Sequence, residues 1–319
     1  MKIIVTHSSP DWDAITSVWL LNRFLPGWNT ANIQFVPAGE RLKNSEFRIP
    51  ASQRGEQSSE LKDPIERIDD NDVIHVDTGL GPLDHHETND QNVCAASRTL
   101  DFVKTPASQR GEQNSEKMIQ KSEAIERIVK IVVDIDHFKE VFWENPTADY
   151  HEFSLLGVLE GLKLQKPDDD EYYVEFGMLS LDALLHNFEN RIWAEKEIRE
   201  NGIEFSTRYG KGIGFESIND SVVKLAQKMG FVIAVRKDPR KGYVRVKARP
   251  LLKSQISNLK SQNDIDLTLV CEKLSKMDPE ATWFLHVSKK MLLNGTPKNP
   301  KMVPTKLSLT QIIEVLKQI

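Results

Sequence analysis

The sequence predicts an α/β protein: a mostly parallel, helix-covered sheet followed by a smaller C-terminal α+β domain. Three observations predict it. Apolar β-type runs alternate with helix-period stretches through the first half, the pattern of strands joined by covering helices. Two of those runs, KIIV and DVIHV, lead directly into His and Asp clusters, and open α/β sheets carry their sites at the carboxyl ends of strands. Past residue 200 the order of strand-like and helical runs changes, and so does the sign of the charge.

The elements follow in chain order. KIIVTH at the start reads as a strand. Asp13 to Phe24 reads as a helix, with Ile15, Val18, Trp19 and Leu21 on or near one face. IQFVP and DVIHV read as further strands. Cys94 to Val103 reads as a short helix, and Ser122 to Trp143 as a long amphipathic one. Met178 to Glu200 is a long helix with leucines on one side and charged residues on the other. Glycines 202, 210, 212 and 214 follow it, which places a boundary between domains 1–200 and 201–319. The last third offers strands in FVIAVR, YVRVKAR and TWFLHV. Its helices are expected over Ser221 to Met229, Leu267 to Lys276 and Ser308 to Gln318.

One internal repeat interrupts this plan. PASQRGEQSSE at Pro50 and PASQRGEQNSE at Pro106 agree at ten of eleven positions, and IERI follows each copy, at Ile65 and Ile125. Nothing else repeats, so the chain is not a solenoid. These polar segments read as insertions near 49–62 and 105–118, and Leu252 to Gln262 has a similar low-complexity look. A duplicated partner-binding motif is the alternative.

The 319 residues suit two domains, and 39% hydrophobic content with a mean hydropathy of -0.43 suits a soluble one. No apolar stretch approaches the roughly 20 residues of a membrane helix. Cys94 and Cys271 lie far apart without metal-type spacing, so buried free thiols and a cytoplasmic location are expected. The net charge of -5 divides into +11 from Gly202 onward and -16 before it. An acidic half can hold cations and a basic half can hold anions, although solvated faces would show the same blocks.

The acidic half carries the candidate site. His7, Asp11 and Asp13 follow the first strand in THSSPDWDA. Asp13 alone also fits a helix cap, a role that explains neither Asp11 nor His7. Asp77 follows VIHV, where a buried carboxylate is costly without a cation or several donors. Asp84, His85 and His86 come next. Neighbouring side chains diverge, so one histidine is expected on a metal and the other on substrate or a supporting contact.

The order of these motifs resembles the DHH phosphoesterase superfamily, which includes family II inorganic pyrophosphatases, RecJ-type exonucleases and nanoRNases. The resemblance covers roughly the first 140 residues. It implies a fourth motif about 50 residues past DHH. Asp134 and Asp136 both stand there, and helical phase selects Asp136, because it shares a face with Ile125, Val129 and Val132. It further implies two divalent metal ions, with manganese favoured and Mg²⁺, Co²⁺ or Zn²⁺ compatible. His7, Asp11 and Asp77 would hold one ion. Asp13, Asp77, His85 and Asp136 would hold the other, with His86 acting on the phosphoryl group and Asp84 orienting it. Trp12 departs from the small residue common between the first two aspartates. It reads as a base-stacking surface or as a packing residue.

In the basic half, YVRVKARP resembles the substrate strand of the nuclease branch, with Arg245, Lys247 and Arg249 on one face. The glycine-rich loop of that branch is absent. His286, Lys289, Lys290 and Asn294 stand near its expected place. Ser288-Lys289-Lys290 also echoes part of the pyrophosphatase SRKKQ motif. The expectation is therefore a phosphoesterase acting on a phosphorylated small molecule or a short single-stranded oligonucleotide, with its site in a cleft between the domains. A pyrophosphatase is the runner-up, and a catalytically silent, metal-stabilised binding module is the non-enzymatic alternative. Oligomeric state is not legible.

Overall fold

A computed structural model describes residues 1–45, 63–105, 122–250, 264–295, 299 and 301–319. The two PASQRGEQ copies and the segment from Leu252 to Gln262 lie outside the described residues. The chain divides into two compact units, Met1–Glu189 and Asn190–Ile319, and both are mixed α/β. Among the described residues no helix is long and apolar enough to cross a membrane.

In the first unit β1 (Lys2–His7) is the central strand. It is parallel both to β2 (Asn32–Val36) and to β4 (Asn71–His75), while β3 (Ile65–Ile68) adds an antiparallel edge on β4. The sheet is thus two parallel pairings and one antiparallel one. In the β1–β4 register Val5 lies opposite His75. Two residues further on, at the same edge, stand His7 and Asp77.

α1 (Trp12–Phe24) leaves β1 after a four-residue turn. Its residues from Trp12 through Asn22 are all buried, so it is a core helix and not a half-exposed one. α2 (Ala95–Lys104), α3 (Ser122–Asp136) and α5 (Asp170–Asn201) follow, with α4 (Leu155–Gln165) between the last two. α3 ends earlier than its periodicity suggests. Phe138 takes a left-handed conformation (φ 54°) that no helix continues through, and only a short 3-10 turn, Lys139–Phe142, follows. α4 escaped the sequence reading, and α5 begins eight residues before the predicted start.

In the second unit a six-stranded sheet runs β5 (Ile203–Thr207), β6 (Gly210–Glu216), β7 (Ile233–Lys237), β8 (Val244–Ala248), β10 (Met291–Asn294) and β9 (Trp283–Leu285). Among the described residues of this sheet only the β6–β7 pairing is parallel. α6 (Ser221–Lys228), α7 (Thr268–Met277) and α8 (Leu309–Leu316) pack on it. One apolar cluster joins β7 and β8 to α7 and α8, and another joins β6 and α6 to Ala194 and Ile198. Strands β5, β6 and β10 were not read from the sequence. β6 is rich in glycine, and β10 is only four residues long, so neither carries a clear two-residue alternation.

Candidate metal centre

Four segments bring their acidic and imidazole side chains together in the first unit. The first is the turn after β1. Asp11, not Asp13, caps α1: its Oδ1 accepts from the N–H groups of Asp13 at 2.9 Å and Ala14 at 3.1 Å. Ser9 (φ 55°) is tied down by Asp170, whose Oδ1 accepts its N–H at 2.7 Å.

Asp13 does something the sequence did not suggest. It caps a different helix. Its two oxygens accept the N–H groups of Ala95 (2.8 Å) and Ala96 (2.7 Å), the first turn of α2, where unpaired donors and the positive helix end favour a carboxylate. The cap expected of Asp13 on α1 thus belongs to Asp11, and Asp13 caps α2 instead, 82 residues away.

The second segment supplies Asp77, two residues past β4 and in a left-handed conformation (φ 51°). Asp tolerates that region better than most residues, and such backbone strain gathers at functional sites. Gly79 (φ 74°) follows, packed so closely on Arg41 that an added Cβ would come within 2.2 Å of its Cγ. The side chain of Asp77 faces two ways. Oδ2 lies 3.2 Å from His7 Nε2, and Oδ1 lies 3.7 Å from His85 Nε2.

The third segment is Asp84-His85-His86. Asp84 is buried and accepts N–H bonds from Leu80 at 2.6 Å, His85 at 2.7 Å and His86 at 3.2 Å. It also holds His86 Nδ1 at 2.6 Å. The fourth is the end of α3. Asp136 Oδ2 lies 3.6 Å from His85 Nε2, whereas Asp134 faces Lys139 at 3.6 Å. His85 Nε2 is also 3.5 Å from Asp13 Oδ2.

Among the described residues three candidate ligand groups result: His7, Asp11 and Asp77; Asp77, His85 and His86; and His85, Asp136 and His137. His137 was missed. Its signal was its place beside Asp136 in DIDHF, but helical phase does not apply past the last turn of α3. Its Nε2 bonds to the Val93 carbonyl at 2.9 Å.

The electrostatics show a shortage of positive charge. Burial, then nearby Asp13 and Asp11, push Asp77 well above the ordinary carboxylate range. Burial raises Asp13 to about 7, against the hydrogen bond from Cys94, and raises Asp136 as well. Burial lowers His85, with Asp136 opposing. His86 is the exception: its bond to Asp84 raises it to about 9. Three buried ligand atoms make no hydrogen bond at all, namely Asp77 Oδ1, His85 Nε2 and Asp136 Oδ2. Buried polar atoms are normally satisfied. Bare carboxylate oxygens of Asp77 and Asp136 that stand 3.7 and 3.6 Å from the equally bare His85 Nε2 fit divalent cations, which would relieve both the mutual repulsion and the missing bonds.

Other predicted residues fare differently. Trp12 is buried, with its Nε1 unbonded, so it is a packing residue and offers no surface for stacking a base. Cys94 is buried and Cys271 half-buried, and both are free thiols. In the second unit Arg245 and Lys247 do share a face of β8, and Arg249 lies just past the strand end. Lys289 is paired with Asp266 at 2.9 Å, and Lys290 with Asp264 and the Ile265 carbonyl. His286 Nδ1 lies 2.8 Å from Ser288 Oγ. Asn294 is wholly buried. Its amide donates to the Thr282 and Val303 carbonyls and accepts from Thr305 N–H, so it serves the fold and not a substrate.

No family model matches the chain, and no curated protein matches it. A solved structure described as an uncharacterized protein from Helicobacter pylori G27 aligns over 99% of this chain and 98% of its own, at 14% identity and a TM-score of 0.24. At that score the likeness carries no inference about fold or function.

Proposed function

We propose that the chain is a metal-dependent phosphoesterase of the DHH type, hydrolysing phosphodiester or phosphomonoester bonds in nucleotides or short oligonucleotides. One observation carries the reading: the buried, unbonded Asp77 Oδ1 and Asp136 Oδ2, from two separate segments, each approach the equally unbonded His85 Nε2 of a third, and these residues are the ones the motif order singles out. His7, Asp11 and Asp77 would hold one divalent cation. Asp77, His85 and Asp136 would hold a second, with Asp13 beside them. Mixed imidazole and carboxylate donors suit Mn²⁺. Cations bound there would offset charge on phosphoryl oxygens and acidify water.

The protein's own groups account for the rest. Asp84 is fixed by three backbone N–H groups and in turn fixes His86 through Nδ1. That leaves His86 Nε2 available on a side chain 59% exposed. His86 is the group placed to meet a phosphoryl oxygen or to hand a proton to the leaving oxygen. Asp77 spans the two ligand groups, so its loss should abolish both.

The test is turnover of a panel with Mn²⁺ against Mg²⁺: pyrophosphate, a nucleoside bisphosphate, cyclic dinucleotides, and RNA and DNA of two to twenty nucleotides. Asp77→Ala serves as the blank. Variant-sensitive release from short oligonucleotides or nucleotides is expected. Cleavage of pyrophosphate alone would reassign the chain as a phosphoanhydride hydrolase. Bound metal with no variant-sensitive turnover would sink the enzymatic reading.

A further inference from the structure

The β7–β8 hairpin sets Arg236 and Arg245 directly opposite each other in the antiparallel register. Like charges at such a pair destabilise a sheet. Asp220 holds them together. One of its oxygens lies 2.6 Å from Arg236 Nε, and the other takes Arg245 Nη1. Asp220 stands at the N-cap of α6, yet its side chain makes no capping bond there, being turned to the arginines instead.

One carboxylate between two guanidiniums leaves a positive charge over. The hairpin turn adds two more cations, Arg240 and Lys241. Asp238 meets them mainly through their backbone N–H groups, at 2.8 and 3.2 Å, while Arg240 Nε stands 3.8 Å from that carboxylate with its side chain 65% exposed. These six residues and Tyr243 surround a cavity of about 200 Å³. Four cations face two carboxylates, a net of +2. Arg245 Nε is buried and makes no hydrogen bond. Gly295 (φ 82°) also lines the cavity and packs on the Tyr243 ring so closely that an added Cβ would come within 2.0 Å of it.

We propose that this cavity is a binding site for a phosphate group, either free phosphate or the phosphate of a small phosphorylated molecule. The guanidinium fork matches phosphate oxygens in geometry as well as charge. A phosphate dianion balances the excess of +2. The volume falls below the roughly 300–1,000 Å³ of pockets that enclose a drug-sized ligand, so the cavity takes a headgroup and leaves any carrier outside. Arg236 and Arg245 are held in place by Asp220 before any ligand arrives, which lowers the ordering cost of binding. The site needs no metal, and its test does not depend on the hydrolytic reading.

The experiment is calorimetric titration of inorganic phosphate and of AMP into the full chain at low salt with EDTA, so that metal ligands take no part. Saturable binding is expected. In an Arg240→Ala/Lys241→Ala double variant, whose changes lie on exposed turn side chains, affinity should fall at least tenfold with the melting temperature unchanged. Asp220→Asn keeps a hydrogen-bonding side chain between the arginines but removes the competing negative charge. The gain of one unit of positive charge outweighs the looser hold on the arginines, so binding should tighten. A triad that only braces the hairpin would show a lower melting temperature and no gain in affinity. Tighter AMP than phosphate would place the group on a carrier; the reverse would identify free phosphate. The proposal is overturned if neither probe saturates, or if the double variant binds as tightly as the parent.

Discussion

Asp136 shows what a single residue costs and what it is kept for. Its Oδ2 is buried without a hydrogen bond, and burial raises its carboxyl above the ordinary range. An amide carries no charge to desolvate or to repel Asp11 and Asp13. Asp136→Asn should therefore stabilise the metal-free protein, by on the order of 1 kcal/mol, against the usual direction for a point substitution. The same change should erase the rise in melting temperature on adding Mn²⁺. Thermal melts with EDTA and with Mn²⁺ check both halves, and a variant that melts lower in EDTA would contradict the repulsion argument. Asp84 makes the opposite case: burial would raise it, but the bonds from His86 and from backbone N–H groups outweigh burial and hold it below the ordinary range. Asp84→Asn should leave Mn²⁺ stoichiometry intact and lower turnover by roughly 10²–10⁴, the range expected when a proton-transferring group loses its orientation. Loss of metal together with activity would show Asp84 to be structural.

At the scale of elements, the IERI tetrapeptide is the clearest lesson. At Ile65–Ile68 it is the edge strand β3, paired with β4; at Ile125–Ile128 it lies inside α3 with both isoleucines buried. Four identical residues take two structures because β4 offers an unpaired edge to one copy, while the apolar period of α3 continues on both sides of the other. The packing of α1 yields a further prediction. Gly177 of α5 lies against Ile15 so closely that an added Cβ would come within 2.4 Å of Cγ2. Alanine is the better helix former by about 1 kcal/mol. Overpacking a rigid core costs about 1–3 kcal/mol, so the clash wins and Gly177→Ala should destabilise. Because α1 carries Asp13 and is capped by Asp11, Mn²⁺ affinity should fall too. Urea unfolding and metal titration would measure the two effects. An unchanged unfolding midpoint would mean that the helices separate without cost.

Two predictions concern the molecule as a whole. A cation that binds only the folded chain stabilises it by mass action, about 2.7 kcal/mol at a concentration a hundredfold above Kd. Melting temperature should therefore climb with the logarithm of Mn²⁺ concentration and return to its starting value with EDTA. A flat response would mean no specific site. The second unit has its own pH signature. Burial would raise Asp266, but the Thr268 hydroxyl and the Lys289 ammonium outweigh it and hold the carboxyl at about 2. A carboxyl depressed below its unfolded value near 3.9 stabilises the fold above that value. That contribution fades as pH falls through about 2. Acid unfolding of the parent should be steeper between pH 4 and 2 than that of Asp266→Asn, and identical slopes would refute the assignment.

The sequence by itself determined the strand ends at which His7 and Asp77 stand, the order of the acidic and imidazole motifs, and the helical phase that separates Asp136 from Asp134. These are one-dimensional facts, since a strand's end and a helix's face follow from local periodicity. Only the tertiary structure decided which groups each side chain meets. It sent Asp13 to the first turn of α2, buried Trp12, added His137, tied Lys289 and Lys290 to acidic neighbours, and enclosed Asn294 in backbone bonds. It also set Arg236 against Arg245 across a hairpin, a pairing that the alternation of Arg245, Lys247 and Arg249 along one strand does not disclose. The reason is physical. Whether a charge is bare or satisfied depends on pairs of atoms distant in sequence, and their approach is fixed by strand register and loop closure, which no local pattern records.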